Sequence, residues 1–183
     1  MKQQKTYARN FKRKQNRLTN YRKRLKLIVS SLPRLVVRKS NKNITAQIVK
    51  YAPDGDLVVL GANSRQLAKL GWNHSRKNLP AAYLTGLLLG KRAAGQKIKK
   101  IILDAGFHPS VKGSRIYAVV KGLQDSGVDV PASESIMPSP ERLFGNHIIE
   151  YFSKKAAGQF AKRSPADLKK DLEGLKKKIM ELS

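Results

Sequence analysis

The sequence predicts an α/β layer fold with a mixed sheet, flanked by a basic arm and a lysine-rich end. Three stretches with strand character are followed by helix, strand and helix patterns, an order typical of layered α/β domains. The 183 residues include 40% hydrophobic ones, enough for one core of ordinary size. We expect an arm and docking helix at residues 1–30, a core domain at residues 31–152 and a helical extension at residues 153–183.

The amino-terminal segment carries charge of one sign only. Residues 1–26 hold eleven Lys or Arg and no acid, with Tyr7, Phe11 and Tyr21 among them. Such blocks repel themselves and bury little apolar area, so we expect an acidic partner to order the arm. Nucleic acid fits, because neutralised phosphates release counterions and aromatic rings stack on exposed bases. The alternatives are a solvated basic tail and a membrane-surface helix, which would need a continuous apolar face.

The positive charge extends beyond the arm. Lys and Arg number 38 against 12 Asp and Glu, a formal net charge of +26 at pH 7, and the first acid is Asp54. A charge of this sign and size indicates an acidic partner without specifying a fold. The absence of cysteine excludes disulfides and thiolate metal sites and fits a reducing compartment. No apolar run approaches a membrane span or a secretion signal, so we expect a cytoplasmic protein.

The first expected helix links the arm to the body. Residues 17–29 place apolar side chains three or four positions apart, which marks one side of a helix. These apolar residues are Leu18, Tyr21, Leu25 and Ile28. Pro33 closes the segment, because the residue before a proline is driven towards extended conformations. We expect this helix to dock on the body and to aim the arm.

Three strands are expected next, in an antiparallel meander. Residues 35–37 are apolar and end in two β-branched valines, and residues 44–51 alternate with a period of two, with turn chemistry at residues 40–43 between them. The third strand covers residues 57–60, after the turn sequence at residues 53–56. Short turns of this kind join strands that pair in the antiparallel direction.

After the meander the pattern becomes helical. A short helix to Leu70 is followed by a helix that Asn78 caps and that runs to about Ala94. The second helix is apolar nearly all round, so we expect it at the centre of the core. Gly86 and Gly90, four residues apart, are expected to permit close packing of this helix against the sheet.

After this helix, strand patterns and helix patterns alternate along the chain. Residues 101–104 follow a helix and predict a strand parallel to one of the meander, residues 114–126 predict a helix, and residues 128–131 predict one more short strand. A further helix is expected from about Ser139 to Phe152.

The carboxy-terminal tail is expected to be one amphipathic helix at the solvent edge. Residues 164–167 form its cap, and Lys side chains alternate with an apolar stripe. The stripe comprises Leu168, Leu172, Leu175, Ile179 and Leu182. This helix is expected to dock on the body or on a neighbour, and its partner is left open.

No catalytic constellation is visible. His74, His108 and His147 lie far apart and lack the spacing of metal ligands, and no glycine motif for a phosphate-binding loop is present. A two-metal nuclease centre needs several converging carboxylates, and Asp104 is the only well-placed candidate. We therefore expect a binding protein that is not an enzyme and that has no cofactor and no metal. The nuclease alternative requires metal-dependent cleavage that Asp104→Asn would stop.

Several stretches, taken together in order, resemble one family. They are residues 17–25 (RLTNYRKRL), 34–42 (RLVVRKSNK), 46–47 (AQ), 70–72 (LGW), 78–90 (NLPAAYLTGLLLG), 103–106 (LDAG), 121–127 (KGLQDSG) and 142–145 (RLFG). Over roughly residues 9–152 the chain resembles the archaeal and eukaryotic branch of the large-subunit ribosomal protein numbered eighteen in the universal scheme.

The resemblance implies a three-layer sandwich of ribonuclease-H-like topology without a catalytic site. It also implies a structural protein of the large ribosomal subunit that binds 5S rRNA and links it to the large-subunit rRNA in the central protuberance, beside neighbouring ribosomal proteins and away from membranes. The alternatives are a non-ribosomal RNA-binding adaptor, a metal-dependent nuclease, and a protein-binding adaptor that docks by its tail helix.

The resemblance also implies which residues contact RNA. The amino-terminal residues that match the family's RNA-binding region are Arg9, Lys12, Arg13, Arg17, Asn20, Tyr21, Arg22, Lys23 and Arg24. A basic turn adds Arg38, Lys39, Ser40, Asn41 and Lys42. From their residue type, the candidates for base stacking are Tyr7, Phe11, Tyr21 and Trp72. For Tyr21 and Trp72, packing in the core is the alternative.

Overall fold

Eight α-helices and four strands make up the described part of the chain, residues 9–154 and 167–181 of the computed structural model. They are α1 (Lys12–Gln15), α2 (Tyr21–Val29), β1 (Arg34–Lys39), β2 (Ile44–Lys50), β3 (Leu57–Asn63), α3 (Arg65–Lys69), α4 (Leu79–Gly95), β4 (Ile102–Asp104), α5 (Arg115–Asp125), α6 (Pro140–Leu143), α7 (Asn146–Lys154) and α8 (Leu168–Glu181). A 3-10 turn lies at Glu134–Ile136. Among the described residues, no helix is both long and apolar enough to cross a bilayer.

The three-stranded meander is confirmed. β1 pairs with β2, and β2 with β3, both antiparallel, with Val36 opposite Gln47 in the first pair. Ser40 holds the turn between β1 and β2, because its hydroxyl donates to the carbonyl oxygen of Asn43 and accepts the Asn43 N–H, each at 2.9 Å. This turn chemistry sets the register, which in a sheet with one buried face decides which side chains reach the core.

The fourth strand makes the sheet mixed. β4 runs parallel to β1, with Ile102 opposite Arg34 and Asp104 opposite Val36, and the sheet order is β3-β2-β1-β4. The expected parallel crossover is therefore confirmed, and the fold is α/β with a four-stranded mixed sheet and helices.

The prediction of a strand at residues 128–131 is wrong, because this segment forms only one isolated bridge. Asp129 bridges Lys100 in the parallel direction, with the Ile101 N–H donating to the Asp129 carbonyl at 3.0 Å and the Asp129 N–H donating to Lys99 at 2.8 Å. The next rung of a parallel ladder would need an N–H at Pro131, which a proline lacks. The pairing therefore ends after one bridge.

Helix α4 is the centre of the core, as its composition predicts. Its cap is confirmed, because the side-chain oxygen of Asn78 accepts the Ala81 N–H at 3.0 Å. Thirteen of its residues are buried, between the sheet on one side and α5 and α8 on others. The inward side chains of β1 and β2 that meet this layer are Leu35, Val37, Ile44, Ala46 and Ile48.

The glycines of α4 pack against α5 and not against the sheet, which corrects the expectation. A Cβ on Gly86 would overlap the carbonyl oxygen of Val119, and a Cβ on Gly90 would overlap the Ser126 hydroxyl. Gly122 of α5 makes the reciprocal approach to the carbonyl oxygen of Tyr83. The absence of side chains at these three positions lets the two helix backbones come into direct contact.

The carboxy-terminal region differs from the expected single helix after Ser139. It divides into α6 and α7 at Gly145, whose φ of +80° lies in the left-handed region and ends a helix turn. The tail helix docks on the body, against α4. Its buried stripe comprises Leu168, Leu172, Leu175 and Ile179, which join the main core. Leu182 and most of the expected cap, residues 164–166, lie outside the described residues.

Helix α2 begins later than expected, at Tyr21. Asn20 caps it, because its side-chain oxygen accepts the Lys23 N–H at 3.1 Å. Before the cap, Arg17 has a φ of 51°, a left-handed conformation that a helix cannot contain. Leu18 and Leu25 are 58% and 64% exposed, so the expected apolar stripe is not buried as a whole.

Candidate nucleic-acid interface

The face of the sheet opposite α4 carries polar and charged side chains. In β1, Leu35 and Val37 point into the core, so Arg34 and Arg38 lie on the other face. Asp104 of β4 joins them, because it pairs with Val36 across the parallel strands. This open face, together with α2, encloses a depression of about 370 Å³, here called the sheet depression.

A network of ion pairs ties α2 to this face. Arg34, with a side chain only 3% exposed, contacts the Asp56 carboxylate at 2.6 Å and the Asp104 carboxylate at 2.9 Å. Arg24 of α2 contacts the other oxygen of Asp56 at 3.0 Å, and Arg38 lies 4.0 Å from Asp104. The expected docking of α2 is therefore made by charged groups around a buried guanidinium.

The same network accounts for Asp104, the one carboxylate that suggested a nuclease. Its Oδ2 contacts Arg34, and its Oδ1 accepts the Gly106 N–H at 2.9 Å. Among residues 9–154 and 167–181, no group of three or more His, Cys, Asp or Glu is arranged to hold a metal ion. Asp104 is thus a partner of a buried cation in this structure.

The arm folds back on itself where it meets the body. After α1 the chain turns at Arg17, and the guanidinium Nε of Arg13 donates to the Thr19 hydroxyl at 3.0 Å. The ring of Phe11 then lies against the ring of Tyr21, with centroids 5.2 Å apart and planes inclined at 44°. Arg9, Lys12 and Arg17 of this segment are exposed.

The predicted site residues fall into three sets. The sheet depression brings together Arg13, Asn20, Lys23, Arg24 and Arg38 from the arm and from β1. Arg9, Lys12, Arg17 and Arg22 are exposed around the arm. Ser40, Asn41 and Lys42 are exposed at the β1–β2 turn, with Lys39 half-buried beside them, and do not line the depression. We call the first two sets, without Arg38, the arm surface, and the last set together with Arg38 the turn surface.

Trp72 is not a base-stacking residue. It is 2% exposed, and its indole N–H donates to the carbonyl oxygen of Ser75 at 3.1 Å. Its ring meets the edge of His74, which in turn contacts Asp171 of α8 at 2.9 Å. Core packing, the alternative for this residue, is therefore correct. Tyr7 lies outside the described residues.

No pattern in the sequence singled out Phe107, which lies in the loop after β4 and is 49% exposed. Phe107 lines a cleft of about 710 Å³ together with Phe11 and Tyr21 of the arm. We call it the aromatic cleft. An exposed aromatic residue between Gly106 and Pro109, in a loop that follows a strand, was the signal that could have identified it.

The loop that carries Phe107 lies in a positive environment. Burial, together with the charges of Lys39, Arg38 and Arg115, lowers the pKa of His108 below its usual range. The imidazole is therefore neutral at physiological pH, and the cations around it favour the approach of an anion.

The fold and these surfaces define a class, that of basic α/β proteins built to contact a polyanion. The family model described as "Ribosomal large subunit proteins 60S L5, and 50S L18" matches residues 5–101. The chain is also 42% identical to the Large ribosomal subunit protein uL18 of Methanococcus maripaludis, over 183 aligned positions that cover 94% of this chain and 95% of that protein. The chain belongs to this family of large-subunit ribosomal proteins.

Membership decides between the alternatives. The protein is a structural constituent of the large ribosomal subunit and not an enzyme, with ribosomal RNA and ribosomal proteins as its partners. Its expected location, in the large subunit of the cytoplasmic ribosome, follows from the same membership. The nuclease and non-ribosomal adaptor alternatives are wrong.

Proposed function

We propose that this protein binds 5S rRNA and links it to the large-subunit rRNA in the central protuberance. The observation that carries the proposal is the joining of the arm to the sheet face through Arg24, Asp56 and Arg34. Because Asp56 joins Arg24 of α2 to the buried Arg34, the cations of the arm surface keep a defined position relative to the body. A defined array of cations suits an RNA of defined shape.

The two basic surfaces support the linking role. The arm surface presents Arg22 and Lys23 from α2, and the turn surface presents Asn41 and Lys42 at the end of β1. Both belong to one body, so RNA segments bound to each would be held at a constant separation. Recognition is mostly by backbone and shape, since the major groove of A-form RNA does not admit side chains.

The proposed site comprises the residues expected from the sequence. On the arm they are Arg9, Lys12, Arg13, Arg17, Asn20, Tyr21, Arg22, Lys23 and Arg24, and at the turn they are Arg38, Lys39, Ser40, Asn41 and Lys42. Asn20 acts through the cap of α2, whereas Arg24 acts through Asp56. The remaining cations contact phosphates, whose neutralisation supplies most of the affinity.

For the fold, we propose a three-layer arrangement of ribonuclease-H-like topology, with α2 over the open face of the sheet. The order β3-β2-β1-β4 and the parallel bridge at Asp129 beyond β4 support it. We also propose the organisation of arm, core domain and extension at residues 1–30, 31–152 and 153–183. In this organisation the extension packs the buried face of α8 against the core domain.

A competition titration tests the proposed function. The protein is titrated against 5S rRNA of a matching organism at several salt concentrations, with an unrelated structured RNA of equal length as competitor. Tight binding that survives the competitor is expected, and the salt slope estimates the number of phosphate contacts. Equal affinity for the two RNAs would overturn the 5S assignment and leave only a general affinity for RNA.

A further inference from the structure

We propose that the aromatic cleft binds one unstacked base of the RNA, with the adjoining phosphates on the cations at its rim. The inference rests on the proposed function and deepens it, because it assigns a nucleotide subsite to the arm surface. The cleft is formed by elements far apart in sequence, since Phe11 and Tyr21 belong to the arm and Phe107 to the loop after β4.

The exposure of the rings is the first argument. Phe11 is 70% exposed and Phe107 is 49% exposed, so neither packs in the hydrophobic core. Exposed apolar patches within a polar rim mark sites of interaction, because leaving such area in water is unfavourable. The apolar surface here is aromatic, and aromatic rings stack on the face of any base.

The size and the rim of the cleft are the second argument. Its volume of about 710 Å³ lies within the range of small-ligand sites. Such a volume admits a nucleotide. Cations surround the rings, contributed by Arg9, Lys14, Arg17 and Arg22. Thr19 and Asn20 add polar groups to the wall, where the edge of a base can form hydrogen bonds.

Continuity with the sheet depression is the third argument. The two concavities share Thr19 and Asn20, and the neighbouring residues Gly106 and Phe107 line one each. A strand with its phosphates along the sheet depression can therefore place a base in the aromatic cleft without leaving the surface. RNA offers such bases in loops and bulges, where they are not paired.

The test compares two anions of equal charge on the full chain. An octamer of uridine and an abasic ribose-phosphate octamer are titrated against the wild-type protein and against Phe107→Ala. The wild type is expected to bind the base-bearing octamer more tightly than the abasic one. In Phe107→Ala the ratio of these two affinities is expected to fall by about 5- to 100-fold, while the slope of log affinity against log salt stays unchanged. Phe107→Tyr, which keeps the ring, is expected to keep the preference.

Val111→Ala is the matched control, because Val111 lies in the same loop and is 53% exposed. Its preference is expected to equal that of the wild type. Equal binding of both octamers by the wild type, or an unchanged preference in Phe107→Ala, would overturn the inference. An octamer of glutamate that binds with the same dependence on Phe107 would also overturn it, because the cleft would then fit an acidic peptide. A loss of 5S selectivity in the competition titration contradicts the proposed function instead.

Discussion

Arg34 is a charged side chain in a buried position, and removing its charge from water is unfavourable. Its guanidinium is nearly inaccessible, and it is accommodated because Asp56 and Asp104 contact it from two sides. One of these acids lies before β3 and the other ends β4, so the cation joins the meander to the parallel strand. Arg24 then extends the network to α2. A single buried charge thereby positions the arm surface.

The role of Asp104 leads to a prediction at this scale. Asp104→Asn keeps the oxygen that accepts the Gly106 N–H but removes the charge opposite Arg34. We expect the free energy of unfolding to fall by about 3 kcal/mol, because a buried cation loses one of its counter-charges. Denaturant unfolding followed by circular dichroism measures the change.

Asp129→Asn is the control for this experiment. Its carboxylate lies 3.7 Å from Lys100, but its side chain is 62% exposed, and such surface pairs contribute about 0–1 kcal/mol. If both substitutions changed the unfolding free energy equally, the network around Arg34 would have no special role in stability.

At the scale of elements, the α4–α5 contact depends on glycine. Gly86 and Gly122 face the backbone of the opposite helix, at Val119 and Tyr83 respectively. Tyr83 adds a hydrogen bond across the same contact, from its hydroxyl to Asp125 at 2.7 Å. Burial and this carboxylate raise the pKa of the phenol, which remains protonated as the donor. The helices are thus joined both by close packing and by a polar contact.

Gly86→Ala is expected to destabilise the protein by about 1–3 kcal/mol or more, because the added methyl group would overlap a backbone carbonyl that cannot rotate away. Thermal and denaturant unfolding of the variant give the measurement. The same substitution at Gly174, in the middle of α8 with no atom within 4 Å of a new Cβ, is the control.

Gly174→Ala is expected to stabilise the protein by about 0.5–1 kcal/mol, since alanine restricts the unfolded chain and favours the helix. Changes of opposite sign in the free energy of unfolding of the two variants would therefore distinguish the effect of close packing from that of helix propensity. If Gly86→Ala left the free energy of unfolding unchanged, α5 would be able to move away from the added methyl group without loss of stability.

At the scale of the whole molecule, charge is distributed unevenly over a conventional core. The interior is formed by α4, the inward sheet face, α5 and α8, whereas the arm surface and the turn surface carry exposed cations. The few acids near the arm, such as Asp56, are used to hold it in place. Stability and the proposed binding of RNA therefore reside in largely separate residues.

This separation predicts that Arg22→Ala combined with Lys23→Ala weakens RNA binding without unfolding the protein. Both side chains are exposed on α2, and Arg24 is left intact because it pairs with Asp56. The slope of log affinity against log salt is expected to fall by about 1.4–1.8, the value for two lost phosphate contacts. Titrations with 5S rRNA at several salt concentrations measure it.

The control is Lys177→Ala combined with Lys178→Ala on α8, which removes the same charge from exposed positions outside both basic surfaces. Its salt slope is expected to equal that of the wild type. Equal losses in the two double variants would show that net charge, and not the arm surface, determines binding.

Local structure could be predicted from the sequence alone. Period-two and helical patterns specify β2 and α4, and Asn78 caps a helix because its partner is three residues away. The charge of a segment follows directly from its residue types, so the basic character of the arm could also be predicted. Local signals were incomplete where a single residue interrupts a pattern, as Pro131 and Gly145 do.

Contacts between distant residues were decided only by the tertiary structure. The burial of Trp72, the approach of Gly86 to α5 and the pairing of Asp104 with Arg34 depend on segments far apart in the chain. Phe107 likewise lines one cleft with residues of the distant arm. Periodicity states which face of an element is apolar, but it does not state which other element covers that face. That choice depends on the packing of the whole core, because side-chain shape and buried charge must be satisfied together.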